Sequence, residues 1–384
     1  MEARFHLDSA TTGNPTTIPA AEGPRPPLRK AQSLRAGPLR GHHVDQRGSQ
    51  DEGALPRVSW DTRAGLGRNG AARSQGGADV LRAVLIRAGD SPALRRQVTR
   101  NPLARRVAGR FVAGDTLDDA ERAVRRLTAT GASVALDYLG EHTSSEREAA
   151  GAAACYVAAL DRIQEAGLDA NVSVKLTALG ADLDPGLAVE EAAKVCTRAK
   201  QAGAMVGIDM ESHRWVDPTL ATVDALRRRF GGERIGVCLQ SYLFRTPKDL
   251  ERLNAWEVPV RLVKGAYDEP AEVAHPTKAR VDQAYAELLE RLLDGNPYPM
   301  IATHDPRLIR RAKQLAAARR RDRATFEFQM LHGIRRDLQQ QVVAEGYRLR
   351  VYVPYGDQWF PYFMRRLAER PANLAFFLSS LVRR

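Results

Sequence analysis

Arg365 and Arg366 stand side by side 13 residues after Tyr352, in the run Tyr352-Val-Pro-Tyr-Gly-Asp-Gln-Trp-Phe-Pro-Tyr-Phe-Met-Arg-Arg-Leu-Ala-Glu369. The residues just before, 349–354, read as a short strand and the pair itself as part of a helix. Two guanidiniums so placed form a fork for a small carboxylate, because their planar donors pair bidentately with its oxygens. A solvated basic helix face is the competing reading in a chain with 58 Lys and Arg residues.

Other reactive groups follow short apolar runs: Asp137, Lys175, Asp209 with Glu211, Gln240, Lys264, His304, Gln329 and Tyr352. Three chemistries suit them. Lys175 or Lys264, buried within an apolar run, would have a lowered pKa and form a Schiff base with a carbonyl substrate. His213 and His304 with a carboxylate would hold one metal ion, although no pair of these residues has a recognisable ligand spacing. A bound cofactor is the third. Arg261 and Lys264 lie three residues apart in one run and so face opposite sides of it. Lys264 would then meet a phosphate beside Gly265, where the chain can approach a ligand closely, while Arg261 meets a ring system inside.

The elements that must position these groups alternate from residue 78 onward. Eight runs read as strands: Ser133-Val-Ala-Leu-Asp137, Val172-Ser-Val-Lys-Leu176, Met205-Val-Gly-Ile-Asp209, Ile235-Gly-Val-Cys-Leu-Gln240, Val260-Arg-Leu-Val-Lys264, Met300-Ile-Ala-Thr-His304, Phe326-Glu-Phe-Gln329 and Leu349-Arg-Val-Tyr-Val353. Between them, stretches such as 148–166, 188–202, 218–230, 278–293 and 306–319 read as helices. Strands alternating with helices imply βαβ units and a parallel sheet. Eight such units over about 250 residues predict a (β/α)8 barrel, with its reactive groups at the C-terminal ends of the strands. A doubly wound open sheet is the alternative, but no strand is followed by a glycine-rich nucleotide loop. Residues 78–88 and 93–112 are expected to be helices ahead of the barrel. Residues 1–77, rich in Gly, Pro, Ser, Thr and Arg, are expected to be a disordered basic tail.

The net charge of +12 among 384 residues would suit nucleic acid or an anionic surface. The excess is mostly Arg and runs along the whole chain, which speaks for composition, and nucleic acid is not an expected partner. Cys155, Cys196 and Cys238 are odd in number and widely spaced, and read as buried free thiols of a reducing compartment. No apolar run reaches the length of a spanning helix. The expectation is a cytoplasmic protein, at most peripheral at the inner face of a membrane.

Seven segments, in order, resemble the proline dehydrogenase family: Ser173-Val-Lys-Leu-Thr177, Ile208-Asp-Met-Glu-Ser212, Leu239-Gln-Ser-Tyr242, Arg261-Leu-Val-Lys-Gly-Ala-Tyr267, Ala302-Thr-His304, Glu327-Phe-Gln-Met-Leu-His-Gly333, and Arg350-Val-Tyr-Val-Pro-Tyr-Gly356 through Glu369. The resemblance implies flavin-dependent oxidation of L-proline to pyrroline-5-carboxylate, with hydride passing from C5 to N5 of non-covalently held FAD. It implies that Arg261 contacts the flavin near N5 and Gln240 its pyrimidine edge. Lys264, Gly265, Thr303 and His304 would serve the ribityl and phosphate region, and Glu327 and Gln329 would line the cofactor. Arg365, Arg366 and Lys175 would clamp the proline carboxylate, Tyr267 and Tyr352 would wall the ring, Asp209 would position Lys175, and Glu369 would orient Arg365. Asp268 stands where the large bifunctional members carry Trp, so the chain resembles the short monofunctional type. Electrons would pass to a quinone, and the second oxidation to a separate pyrroline-5-carboxylate dehydrogenase.

Overall fold

Short runs dense in Val, Ile and Leu favour extended backbone that is buried under a covering layer. Eight of them form parallel strands: β1 Ser133–Tyr138, β2 Ala170–Val174, β3 Val206–Ile208, β4 Ile235–Gln240, β5 Val260–Val263, β6 Met300–Ala302, β7 Glu327–Leu331 and β8 Leu349–Tyr355. Each pairs with the next in chain order. β8 then returns to β1, with Ser133 opposite Arg350 and Tyr138 opposite Tyr355, and the sheet closes. The structure is a computed structural model and describes residues 91–141 and 143–369.

Among the described residues three helices precede the first strand: α1 Pro92–Arg100, α2 Pro102–Ala108 and α3 Leu117–Thr128. One helix then follows each strand in turn: α4 Glu146–Glu165, α5 Pro185–Ala202, α6 Val216–Phe230, α7 Thr246–Ala255, α8 Lys278–Gly295, α9 Pro306–Ala318, α10 Arg336–Ala344 and α11 Trp359–Glu369. The fold is the expected (β/α)8 barrel with helices ahead of it. The single helix expected over 93–112 is instead two. Pro102 drives Asn101 out of helical geometry, to φ −81° and ψ 118°, and the Asn101 side chain then accepts from Ala104 N at 3.2 Å to start α2. The tail expected over 1–77 and the helix expected over 78–88 lie outside the described residues.

Strand periodicity sorts the sheet into two faces. Val172, Val174, Val206, Ile208, Val260, Leu262, Phe328, Val351 and Val353 are buried in one continuous core with residues of the covering helices. The alternate positions carry Ser173, Gly207, Cys238, Arg261, Gln329, Arg350 and Tyr352, several of which bond to one another across the bore. Barrel bores are usually filled by branched apolar side chains. This one carries polar groups as well, and glycine makes room for them. A Cβ on Gly207 would lie 2.6 Å from Arg261 Nη2, so a bulkier residue would displace that guanidinium.

A second apolar cluster holds α11 in place. Val107, Ala108, Phe111 and Val112, in and just after α2, are buried with Trp359, Phe360, Phe363 and Leu367 of α11 and with Leu139 and Ile334. The Phe111 and Phe363 rings are 6.3 Å apart. Phe360 is fully buried, so Phe360→Ala removes one of the aromatic anchors of the helix that bears Arg365. The expected loss of stability is about 3–5 kcal/mol in urea unfolding; an unchanged urea midpoint would refute the anchoring.

Candidate active site

Polar groups converge where β1, β2, β3, β5 and β8 approach the C-terminal mouth. Lys175 and Asp209 lie one residue beyond β2 and β3, not inside a strand, so both sit at the rim. Asp209 is the junction. One carboxylate oxygen accepts from Arg261 Nη1 at 2.7 Å and from Ser173 Oγ at 2.8 Å. The other accepts from the Tyr352 hydroxyl at 2.7 Å and lies 3.2 Å from Lys175 Nζ. Arg261 Nη2 also donates to Ser173 Oγ at 2.8 Å. Lys175 Nζ is 2.9 Å from both oxygens of Asp137 and 3.2 Å from the Tyr352 hydroxyl. Lys175 and Arg261 lie 5.9 Å and 5.5 Å from the centroid of the Tyr352 ring, so the negative π face is shared by two cations.

The two carboxylates have opposite proton affinities because their partners differ. Burial pushes the Asp137 carboxyl up to about 6 against the pull of Lys175, and the Asp209 charge adds to the rise. Burial also acts on Asp209, but there Lys175 and Arg261 together outweigh it and hold the carboxyl at about 2. Burial works against the charge of Lys175, but Asp137, Tyr352, Asp209 and Glu141 together outweigh it, so the lysine pKa stands well above its ordinary value. A Schiff-base lysine needs a neutral amine. Lys175 is held as an ammonium, which removes the lyase reading at that residue.

Arg365 and Arg366 each have a neighbour of their own. Arg365 makes a bidentate pair with Glu141, at 3.0 and 2.5 Å, in the loop after β1. Arg366 lies over the Tyr362 ring at 5.1 Å. Glu141, 4.0 Å from Lys175 Nζ, links Arg365 to the central cluster and is not among the residues singled out from the sequence. Tyr267 is beside them: burial raises its hydroxyl pKa, with Glu141 and Glu211 adding to the effect. Glu211 is itself tied to Thr177, through the backbone N at 3.1 Å and Oγ1 at 2.6 Å. The side chain of Glu369 lies outside the described residues.

The residues expected to serve a cofactor fall into three places. Gln240 Nε2 donates to the carbonyls of Met210 and Glu211 at 3.3 and 3.2 Å, leaving its buried Oε1 with no partner in the protein; Arg261 Nε is likewise buried without one. Lys264 is on the other side of its strand from Arg261, as expected, 2.5 Å from Asp282 and 3.5 Å from Asp305. Thr303 Oγ1 accepts from Asp305 N at 3.1 Å. His304 Nε2 accepts from Leu331 N at 2.9 Å, so that nitrogen carries no proton. Gly265, at φ +119°, packs against a ring: a Cβ there would lie 2.0 Å from Tyr242. Glu327 and Gln329 meet lower in the bore and not at its mouth. Glu327 opens β7, and its carboxylate accepts from Arg350 at 2.9 Å, Gln329 at 2.7 Å and Tyr298 at 3.0 Å. With its oxygens so engaged, Glu327 braces the lower barrel.

The metal reading finds no support in the placement of its histidines. His213 pairs with Glu269, and His304 is engaged by the backbone of β7. Among the described residues no three His, Cys, Asp or Glu side chains are grouped as metal ligands.

Asp209→Ala would leave Lys175 and Arg261 buried with one anion fewer, an expected loss of about 3–5 kcal/mol near neutral pH. The folded carboxyl is held below its ordinary value of 3.8, at about 2. Its contribution is therefore full above 3.8 and disappears as pH falls towards 2. Urea unfolding of both proteins at neutral and at acid pH reads this directly. A gap that widened on acidification would be inconsistent with it.

The comparisons with known proteins agree with this geometry. The family model described as "Proline dehydrogenase" matches residues 120–378. "Proline dehydrogenase 1" of Bacillus subtilis subsp. natto is 44% identical over 278 residues, covering 72% of this chain and 91% of the relative. "Proline dehydrogenase" of Deinococcus radiodurans is 42% identical over 280 residues, covering 72% of this chain and 90% of the relative. Among solved structures, proline utilization A (PutA) from Bdellovibrio bacteriovorus, inactivated by N-propargylglycine, superposes with a TM-score of 0.65 at 26% identity. That likeness covers 69% of this chain and 33% of the PutA chain, so this chain spans about a third of that larger protein. A barrel of this topology, a family match across most of it and relatives matched over nearly their full length have one common meaning: the chain belongs to the proline dehydrogenase family.

Proposed function

We propose that this chain oxidises L-proline to 1-pyrroline-5-carboxylate, the first step of proline catabolism, with non-covalently bound FAD. The observation that carries the cofactor reading is the pair of deeply buried polar atoms without a protein partner on adjacent strands, Gln240 Oε1 and Arg261 Nε. Buried polar atoms are normally satisfied, and each orphan asks for a partner of opposite character. Gln240 Oε1 is an acceptor suited to the N–H of the flavin pyrimidine edge. Arg261 Nε is a donor suited to the ring nitrogens near N5. Lys264 and Gly265 past β5, with Thr303 and His304 past β6, would hold the ribityl chain and phosphates. Gln329 and Glu327, joined by a hydrogen bond, would line the cofactor from within the bore. The chemistry FAD supplies when bound is acceptance of the C5 hydride at N5, with electrons passing on to a quinone.

The chain itself binds and orients. Arg365, Arg366 and Lys175 would hold the proline carboxylate, which fixes the carbon that faces the flavin. Arg365 must then serve Glu141 and the ligand at once, so ligand entry is coupled to the loop after β1. Tyr267 and Tyr352 would flank the ring, and Asp209 holds Lys175 and Arg261 in fixed relation. The ring amine has to be unprotonated for hydride loss, so positioning and exclusion of water do more here than a strong base would.

We further assign the second oxidation to a separate pyrroline-5-carboxylate dehydrogenase. We place the enzyme in the cytoplasm, peripheral to the inner face of the membrane where a quinone is met. The free thiols of Cys155, Cys196 and Cys238 agree with a reducing compartment. No helix among the described residues is long and apolar enough to cross a membrane.

The deciding experiment is an absorbance spectrum of the purified protein before and after anaerobic addition of L-proline. Flavin bands that bleach are the expected result. Bands that stay oxidised would overturn the substrate, and a colourless protein that takes up no FAD would overturn the cofactor. Arg365→Ala is expected to raise KM chiefly, with about 2–4 kcal/mol lost from kcat/KM for a charge-assisted contact. An unchanged KM would count against the clamp.

A further inference from the structure

An ammonium has three N–H bonds to give, and Lys175 gives all of them inside the protein. Both oxygens of Asp137 lie at 2.9 Å and the Tyr352 hydroxyl at 3.2 Å, with Asp209 at 3.2 Å and Glu141 at 4.0 Å also facing it. A ligand carboxylate brought to this ammonium finds no N–H available and adds an anion to a site where Asp137 is 0% and Lys175 only 7% exposed. One resident anion must give way.

The surroundings decide which. Asp209 is held by Arg261, Tyr352 and Ser173 as well as by Lys175. Glu141 has the bidentate Arg365. Asp137 has Lys175 as its cation, with the Tyr156 hydroxyl of α4 at 3.5 Å. The charged and titratable groups that face it are Lys175 from β2, Asp209 from β3, Tyr352 and Tyr355 from β8, and Tyr156 from α4. Among them only Lys175 favours its negative charge by being a cation.

We propose that Asp137 is a positioning residue that becomes neutral as a carboxylate ligand enters, taking one proton from solvent and releasing an N–H of Lys175 to that ligand. The step balances: one proton adds to the Asp137 carboxylate, and one hydrogen bond of the ammonium moves from Asp137 to the incoming oxygen. Burial already lifts the Asp137 carboxyl to about 6, and a ligand that draws on the charge of Lys175 lifts it further. The folded, ligand-bound state then binds more protons than the ligand-free state. Carboxylate affinity should therefore fall by up to about tenfold per pH unit as pH rises above 6. The inference rests on the carboxylate clamp proposed above and adds to it a titrating partner.

The probe is cyclopentanecarboxylate, which has the ring and the carboxylate of the substrate but no amine to shed a proton of its own. It is titrated calorimetrically into the full-length, FAD-loaded enzyme in phosphate and in Tris, two buffers with different ionisation heats. The expected result near pH 7.5 is uptake of about one proton per site, retained in Glu211→Gln and absent in an Asp137→Asn variant that still binds. Binding without proton uptake, uptake that persists in Asp137→Asn, or uptake lost in Glu211→Gln would each overturn the assignment. Should Asp137→Asn fail to fold, the infrared difference spectrum of the unaltered enzyme decides: a neutral carboxyl band must grow as ligand binds, and its absence rejects the idea. No binding at any pH would remove the clamp and this inference together, whereas binding without proton exchange removes the inference alone.

Discussion

Two cations from neighbouring parts of a barrel bore repel each other strongly when water is excluded, and Lys175 and Arg261 coexist because Asp209 is shared between them. The geometry of the surrounding residues follows from that contact. Ser173 is small and hydroxylic so that it can bridge Arg261 to the same carboxylate oxygen. Gly207 is bare so that the guanidinium can reach it. Tyr352 gives its hydroxyl to Asp209 and offers its ring face to both cations. A network in which nearly every lone pair and proton has a partner is rigid, because any one movement breaks more than one bond. That rigidity suits a catalyst whose own contribution is to hold rather than to react.

The architecture was legible because each strand carries its own local signal. β4 spans the residues its alternation implies, Ile235–Gln240, and β1 and β8 extend by one or two residues past the runs that announce them. The strands read too long are β2, β3, β5 and β6, where Lys175, Asp209, Lys264 and His304 lie beyond the last ladder residue. There an apolar run continues into the rim, and hydropathy cannot tell a final strand residue from the first loop residue. Asn101-Pro102 was the opposite case: a backbone restriction, visible in the sequence, overrides a continuous helical pattern.

The active site was less legible, since partners are set by closure of the barrel and not by spacing. Lys175, Asp209, Arg261 and Tyr352 lie on four strands or one residue past them, and closure of the barrel brings them together. Glu141 carries no local mark, and only the fold brings it to Arg365, 224 residues away. Glu327 is alike in this. It begins its strand, and its partners Arg350, Gln329 and Tyr298 come from the fold and not from spacing. Arg365 and Arg366 are adjacent in the chain, yet neighbouring residues on a helix project in directions about 100° apart. They need separate partners, and Glu141 and Tyr362 supply them.

The packing of α2 against α11 has a consequence for synthesis on the ribosome. The apolar faces of Val107, Phe111 and Val112 emerge early, while Trp359, Phe360 and Phe363, which cover them, are made only after all eight strands. The nascent barrel therefore waits with that surface uncovered and with Glu141 unopposed by Arg365. Translation completes the shell and the carboxylate-facing guanidinium in the same event, so a chain stopped short of α11 has neither a closed surface nor a finished site.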